Sequence, residues 1–509
     1  MSANLYAVFK QKFPKDLSNP FIKEARGSVL SYAEVESRSA QVASLLQSLR
    51  IKPGDRVAAQ IEKSAAALIL YLGCLRAGAV YLPINTAYTN AELTYFLTDA
   101  KPALFVCDAI REKSLRASIR ECGVPNCFSL DAHGRGSFAQ QALAHDTKFK
   151  TVTLEAADPA AILYSSGTTG KPKGATLSHG ALAANARALH AAWQLGPDDV
   201  LLHALPIFHT HGLFVATNTV LINGTGMLFH DGFESDAVIS DLAKATVFMG
   251  VPTYYTRLLA NPALTREACT SIRLFISGSA PLLDETCNAF KERTGHAIVE
   301  RYGMTEAGII TSANPDKPKR AGTVGWPLDG VTLRIINDDD EPVGASETGE
   351  LQIKSSGLFS GYWNKPEKTA EEFTSDGFFR TGDIARYELD GQITLIGRAK
   401  DMYISGGFNV FPKEIEQIVD AIEGVEECAV VGMPHPDFGE AGLVIIVAKK
   451  EPLDEKAIRS TLKETLANYK VPKQILQSDS LPRNAMGKVQ KNLLRETYHN
   501  EWRDWLQDQ

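Results

Sequence analysis

Short apolar runs alternating with longer amphipathic ones constrain the fold class before any single residue is weighed. Leu30–Leu49 carries its apolar residues at helical spacing, with Ser31 placed to cap it and Glu34 three residues further on. Arg56–Ala59 reads as a strand, Ala65–Ala77 as a helix and Ala79–Pro83 as a strand again. The alternation runs to Val106 and resumes at Ala160, which predicts an α/β protein on a mostly parallel sheet. Residues 130–150 are polar and irregular and predict a surface excursion. Between 320 and 400 the character changes. Thr332–Ile336, Gly349–Lys354 and Ile393–Ile396 are short strands between turns such as Asp338–Asp340 and Asp390–Gly391, and they predict a compact β-rich subdomain. Beyond it come a helix (Pro412–Ala421), two strands (Glu427–Val431 and Gly442–Ala448), a helix (Leu453–Ala467) and a basic tail.

A chain of 509 residues exceeds what one hydrophobic core supports, so two or more domains are expected. A net charge of −7 argues against a nucleic-acid or anionic-membrane surface. Met1–Phe13 holds no apolar run of signal-peptide length, and no window approaches the ~20 apolar residues of a membrane span. The seven cysteines are scattered, and Cys122 and Cys127 have no second Cys/His pair near them to complete a zinc site. Reduced thiols and a cytoplasmic protein are expected.

The most informative string is Tyr164–Gly174, Y-S-S-G-T-T-G-K-P-K-G, which follows the apolar Ala161–Leu163. Three glycines, two serines, two threonines and two lysines put hydroxyls, backbone N–H groups and positive charge in one loop, as a polyphosphate requires. A Walker A loop is excluded, because Lys171 is followed by Pro172 and Ser165 stands where the first glycine belongs.

The string resembles the signature of the adenylate-forming enzymes, which include acyl-CoA synthetases, luciferases and peptide-synthetase adenylation domains. The resemblance implies an N-terminal ATP- and acyl-binding domain over 1–399 and a small mobile α+β domain over 400–509, with a hinge near Lys400. It assigns Ser165, Ser166, Gly167, Thr168, Thr169, Gly170, Lys171 and Lys173 to the phosphates of ATP. Thr169 is also expected in catalysis and at Mg²⁺.

Further motifs agree with this family. Glu300–Gly308 (E-R-Y-G-M-T-E-A-G) resembles the segment that lies along the nucleotide and the acyl carbonyl. There Glu300, Arg301 and Gly303 line the nucleotide, Tyr302 stacks on adenine, Met304 meets both ligands, Thr305 touches the α-phosphate, and Glu306 is a catalytic residue that holds Mg²⁺. A carboxylate suits Mg²⁺, which takes one or two of them besides phosphate oxygens. A helix start capped by Thr305 is the plainer alternative for this segment. Ser277–Leu282 (S-G-S-A-P-L) matches the strand-end loop beside adenine and acyl group, with Ser277 and Gly278 toward the acid and Ser279, Ala280 and Pro281 toward ATP. Asp383 of T-G-D and Arg398 of G-R resemble the pair that fixes the ribose.

In Pro482–Lys491, Lys488 matches the reactive lysine. An ammonium there bridges two anions, the carboxylate and the α-phosphate, as they approach. The resemblance also implies that a lysine acetyltransferase and deacetylase could switch Lys488. Ser405, Gly406 and Gly407 resemble the loop that lines the pantetheine tunnel of coenzyme A, and His435 is assigned near the CoA nucleotide.

For the acid, Leu205–Leu213 (L-P-I-F-H-T-H-G-L) supplies one wall. His209 and His211 lack an evident third metal ligand and read as structural or substrate-contacting. Arg257, in V-P-T-Y-Y-T-R-L-L, is either a surface arginine over apolar neighbours or the anchor for a second carboxylate. The whole chain is most similar to malonyl-CoA synthetases, in which the equivalent of Arg257 anchors the distal carboxylate. His209, Arg257 and Met304 then imply a small pocket for malonate, with methylmalonate tolerated. The other readings are a short-chain or aryl acid–CoA ligase, and an adenylation module serving a carrier protein.

Overall fold

The structure is a computed structural model that describes the chain apart from residues 1, 26, 166–171, 318, 319, 321, 450–452, 484–487, 508 and 509. The side chain of Ser165 also lies outside the description. Backbone packing divides the chain into two compact units, the first built from the N-terminal part up to Thr332 together with Lys354–Glu372, the second from Leu333–Ile353 and the chain from Phe373 onward.

In the first unit the α/β expectation holds. Among the described residues one sheet has nine strands, and its centre is the parallel run Ile298–Met304, Leu274–Ser277, Val247–Gly250, Val200–His203, Gly226–Phe229 and Pro20–Glu24. A second sheet of seven strands has Arg56–Gln60, Val80–Pro83, Leu104–Cys107, Cys127–Ser129 and Pro159–Ser165 as its parallel part. Lys173–Ser178 and Gly361–Tyr362 extend it antiparallel. Tyr32–Ser48 is a helix whose Ser31–Glu34 capping box is formed as the sequence predicts. The helix Ala65–Ala77 is apolar nearly all round and is buried accordingly. Within 130–150 the structure differs from the expected irregular excursion. Ser137–Leu143 is helical because Phe138 and Ala142, four apart, bury one narrow stripe.

The second unit contains the predicted short strands in a four-stranded sheet, Val331–Ile336, Thr348–Ser355, Phe379–Tyr387 and Ile393–Arg398. Its other sheet is centred on the antiparallel pair Val425–His435 and Gly439–Ala448. Alternate residues of these strands feed two separate cores. Val430, Val444 and Ile446 face one cluster, while Ala429, Val431, Leu443 and Ile445 face the other. The second cluster is closed by Leu494 and Trp502, from the helices Lys491–Thr497 and His499–Gln507. The sequence predicts only a basic tail there. Leu494, Tyr498 and Trp502 recur every four residues and make an apolar stripe among the charges.

Candidate active site

Ligands of open parallel sheets gather beyond the carboxyl ends of the strands. In the nine-stranded sheet, His203, Gly250, Ser277 and Met304 stand at four such ends. Ile298–Met304 then turns back as Gly308–Ser312, so Thr305, Glu306 and Ala307 form the tip of a hairpin rather than the start of a helix. Glu306 is only 7% exposed. Its carboxylate accepts a hydrogen bond from the Tyr362 hydroxyl at 3.1 Å, and its carbonyl accepts from the Phe359 N–H at 2.7 Å. A buried carboxylate at a hairpin tip fits the donor set of a hard divalent cation such as Mg²⁺. Tyr302 and Glu300 are buried beside it on the strand.

The loop after Leu274–Ser277 meets this strand closely. A Cβ at Gly278 would lie 2.4 Å from the Arg301 guanidinium carbon, so any larger residue there would have to displace that side chain. Ser279 has φ +74°, a conformation that costs a non-glycine residue energy and clusters at functional positions. Arg301 donates to the Ser279 hydroxyl at 3.5 Å, and that hydroxyl lies 3.3 Å from His211 Nδ1. The guanidinium is almost wholly buried, and burial pushes its pKa down to about 9, with Tyr255 opposing the shift. Burial likewise holds His211 well below the usual imidazole value, reinforced by the Arg301 charge, so its ring is neutral at pH 7. Arg301 Nε, His211 Nε2 and the Ser277 hydroxyl are buried without a hydrogen-bond partner among the described residues. Buried polar groups left unsatisfied are costly, and a set of them beside one strand end calls for a polar ligand.

His211 opens a π-helix, His211–Thr217, a form that recurs at functional sites. His209, half-buried just before it, accepts the Thr210 N–H at 3.1 Å through Nδ1. The other sequence-predicted acid contact, Arg257, is exposed on the helix Pro252–Ala260. That helix is pinned to the site strand by the Tyr255 hydroxyl, which donates to the Ile276 carbonyl at 2.6 Å.

Of the phosphate loop, Ser166, Gly167, Thr168, Thr169, Gly170 and Lys171 lie outside the described residues. Its ends are held firmly. Tyr164 donates to Asp99 at 2.5 Å and Tyr95 donates to the Pro172 carbonyl at 2.8 Å. Ser165 and Lys173 are partners across the hairpin. The Lys173 ammonium lies 3.5 Å from Glu372 and 4.7 Å from the centroid of the Tyr362 ring. Ala280 and Pro281 are exposed beyond Ser279.

In the second unit, Asp383 and Arg398 are direct partners across two antiparallel strands, joined at 2.8 Å. Arg398 also donates to the Thr381 carbonyl at 3.1 Å. Lys400 sits in the one-turn helix Ala399–Asp401, and burial, with Arg398 and Lys488 close by, lowers its pKa to about 8. Lys488 is exposed. Ser405 ends a strand, and Gly406 (φ +59°) and Gly407 (φ +84°) make the two-residue turn into Phe408–Val410. Positive φ at both turn positions is why glycine is needed there. His435 accepts the Asp437 N–H at 3.2 Å and lies edge-on to Phe438.

Sequence reasoning missed two buried contacts near the strand ends. Tyr362 lies in an unremarked G-Y-W string, and Lys63 Nζ donates to the His203 carbonyl at 2.8 Å and lies 3.0 Å from His203 Nδ1 inside the core. Arg301 is expected along the nucleotide, and its close packing against Gly278 has no signal in the sequence short of the strand pairing itself.

Two layered α/β sheets with polar strand ends, followed by a β-rich second unit that carries the lysine and glycine loops, define an adenylate-forming enzyme. The AMP-binding enzyme family model matches residues 10–363, and the AMP-binding enzyme C-terminal domain model matches residues 414–488. The chain belongs to the AMP-binding enzyme family, and it is an AMP-forming acid–thiol ligase. It is 33% identical over 479 residues to a feruloyl-CoA synthase of Amycolatopsis, covering 93% of this chain and 94% of that one. It is 33% identical over 556 residues to the malonate–CoA ligase of Arabidopsis thaliana, covering 98% and 90%. ATP-bound MatB from Rhodopseudomonas palustris superposes with a TM-score of 0.95 at 48% identity, covering 98% and 99%. Among the described residues no helix is long and apolar enough to cross a membrane, and no cluster of His, Cys, Asp and Glu is arranged for a metal.

Proposed function

We propose that this enzyme joins malonate to the thiol of coenzyme A through malonyl-adenylate, releasing AMP and pyrophosphate. The observation that carries the diacid is the pair of buried side chains Arg301 and His211 meeting at the exposed Ser279 hydroxyl, with Arg301 Nε and His211 Nε2 lacking a partner among the described residues. A desolvated guanidinium is stabilised by a carboxylate that accepts from it, whereas the end of a plain alkyl chain would leave it unpaired. Methylmalonate adds one methyl group and keeps both carboxylates. Arg257, one turn beyond Tyr254 on the adjoining helix, is a second cation for the same acid.

In this reading Glu306 and Thr169 hold Mg²⁺, which offsets the negative charge of the triphosphate when bound. Asp383 accepts the ribose hydroxyls while Arg398 keeps its carboxylate oriented. Lys488 brings its ammonium to the carboxylate and α-phosphate, offsetting the charge that gathers as the C–O–P link forms. The chain turns at Lys400, as a hinge between 1–399 and 400–509, and the Ser405–Gly407 turn then lines the path of the thiol, with His435 toward the CoA nucleotide. The exposure of Lys488 also suits its neutralisation by an acetyltransferase.

A panel of acetate, malonate, methylmalonate, succinate and butyrate, scored by CoA-dependent pyrophosphate release, tests the proposal. Malonate should give the highest kcat/KM and methylmalonate the next. Equal or better turnover of butyrate would overturn the choice of acid.

A further inference from the structure

We propose that Tyr362 is a positioning residue for adenylation, tying the Glu306 carboxylate to the lysine at the end of the phosphate loop. This rests on the adenylate-forming reading above. Gly361–Tyr362 is a two-residue strand paired with Lys173–Ser178, in register Gly361 to Thr176 and Tyr362 to Ala175. The backbone is fixed on both sides, since Tyr362 N–H donates to Thr369 Oγ1 at 2.8 Å and Trp363 N–H to the Gly174 carbonyl at 2.7 Å. Phe359, edge-on to the Tyr362 ring at 4.9 Å, uses its N–H to hold the Glu306 carbonyl. One short segment therefore grips Glu306 by its main chain and by its side chain.

The ring carries the argument further. Its hydroxyl donates to Glu306 Oε1 at 3.1 Å, in a buried setting, while the Lys173 ammonium lies 4.7 Å from the ring centroid. A cation over an aromatic ring is attracted to it and draws electron density from it, which makes the phenol a better donor. Core packing alone does not need that hydroxyl, because phenylalanine would fill the same space. What the hydroxyl adds is a fixed orientation for a carboxylate aimed at a divalent cation, which is the usual role of a hydrogen-bonding partner behind a metal ligand.

The test uses the full chain as Y362F, E306Q and the double variant. Calorimetric ATP binding is measured across a Mg²⁺ titration, alongside thioester formation from premade malonyl-adenylate. Y362F should raise the Mg²⁺ concentration that half-supports ATP binding by about tenfold, the low end for losing a hydrogen bond to a charged group. It should leave the thioester step intact and add nothing further in the E306Q background. An unshifted Mg²⁺ midpoint overturns the proposal, and so does an equal shift with or without Glu306. Equal loss of the thioester step also overturns it, since that marks a purely structural role. If the wild-type chain shows no Mg²⁺-dependent ATP binding, it is the adenylate-forming reading that fails.

Discussion

Replacing Arg301 with leucine separates a diacid pocket from any other. The wild-type guanidinium is 6% exposed, and its Nε has no partner among the described residues, so malonate would meet a cation already stripped of water. Removing one side of a buried ion pair costs about 3–5 kcal/mol. On kcat/KM that is roughly two to three and a half powers of ten. Arg257 is exposed, and an exposed pair contributes about 0.2–1 kcal/mol, so Arg257→Leu should cost malonate less than about sixfold. The assay is pyrophosphate release with malonate and with butyrate, for both variants, in the range where rate is linear in acid. Butyrate should be spared or improved by Arg301→Leu, because its methyl end no longer faces an unpaired charge. If malonate and butyrate fall alike, Arg301 does not bind the second carboxylate. If Arg257→Leu is the more selective variant, the exposed arginine is the anchor and the reasoning from burial is wrong.

Two further outcomes are expected. Lys488→Ala should abolish pyrophosphate release yet leave thioester formation from premade malonyl-adenylate largely intact, and loss of both steps together would remove Lys488 from its role. In the second unit, burial raises the pKa of Asp420 to about 6 from 3.8, with Glu416 adding to the shift and Cys428 opposing it. The native state therefore binds the extra proton between those values, and this group's contribution to stability falls as pH rises through that window. Asp420→Asn should stabilise the fold by up to about 3 kcal/mol near pH 7.5 and by almost nothing near pH 4, measured by denaturant midpoints. A gain that is the same at both pH values would show that burial of the charge is not its source.

The sheets were legible because their strands are short apolar runs with helices between them, a pattern that Ala65–Ala77 and Tyr32–Ser48 carry in full. Asp383 and Arg398 could be paired from motif alone, and the strands put them in direct register. Tyr362 could not be found that way. Its partners Glu306 and Lys173 are 56 and 189 positions away, and only strand pairing brings them to one ring. The same applies to Lys63 and His203, which meet across 140 positions in a core where neither residue type is expected. The terminal helices escaped notice because their apolar stripe is thin and lies among many charges.

Ser277, Met304, His203 and Gly250 each close a separate strand, and each begins its own connection. A change of side chain at one tip leaves the hydrogen-bonded ladder beneath it untouched. Selectivity for the acid can thus change at a tip such as Ser277 without re-pairing the strands beneath it.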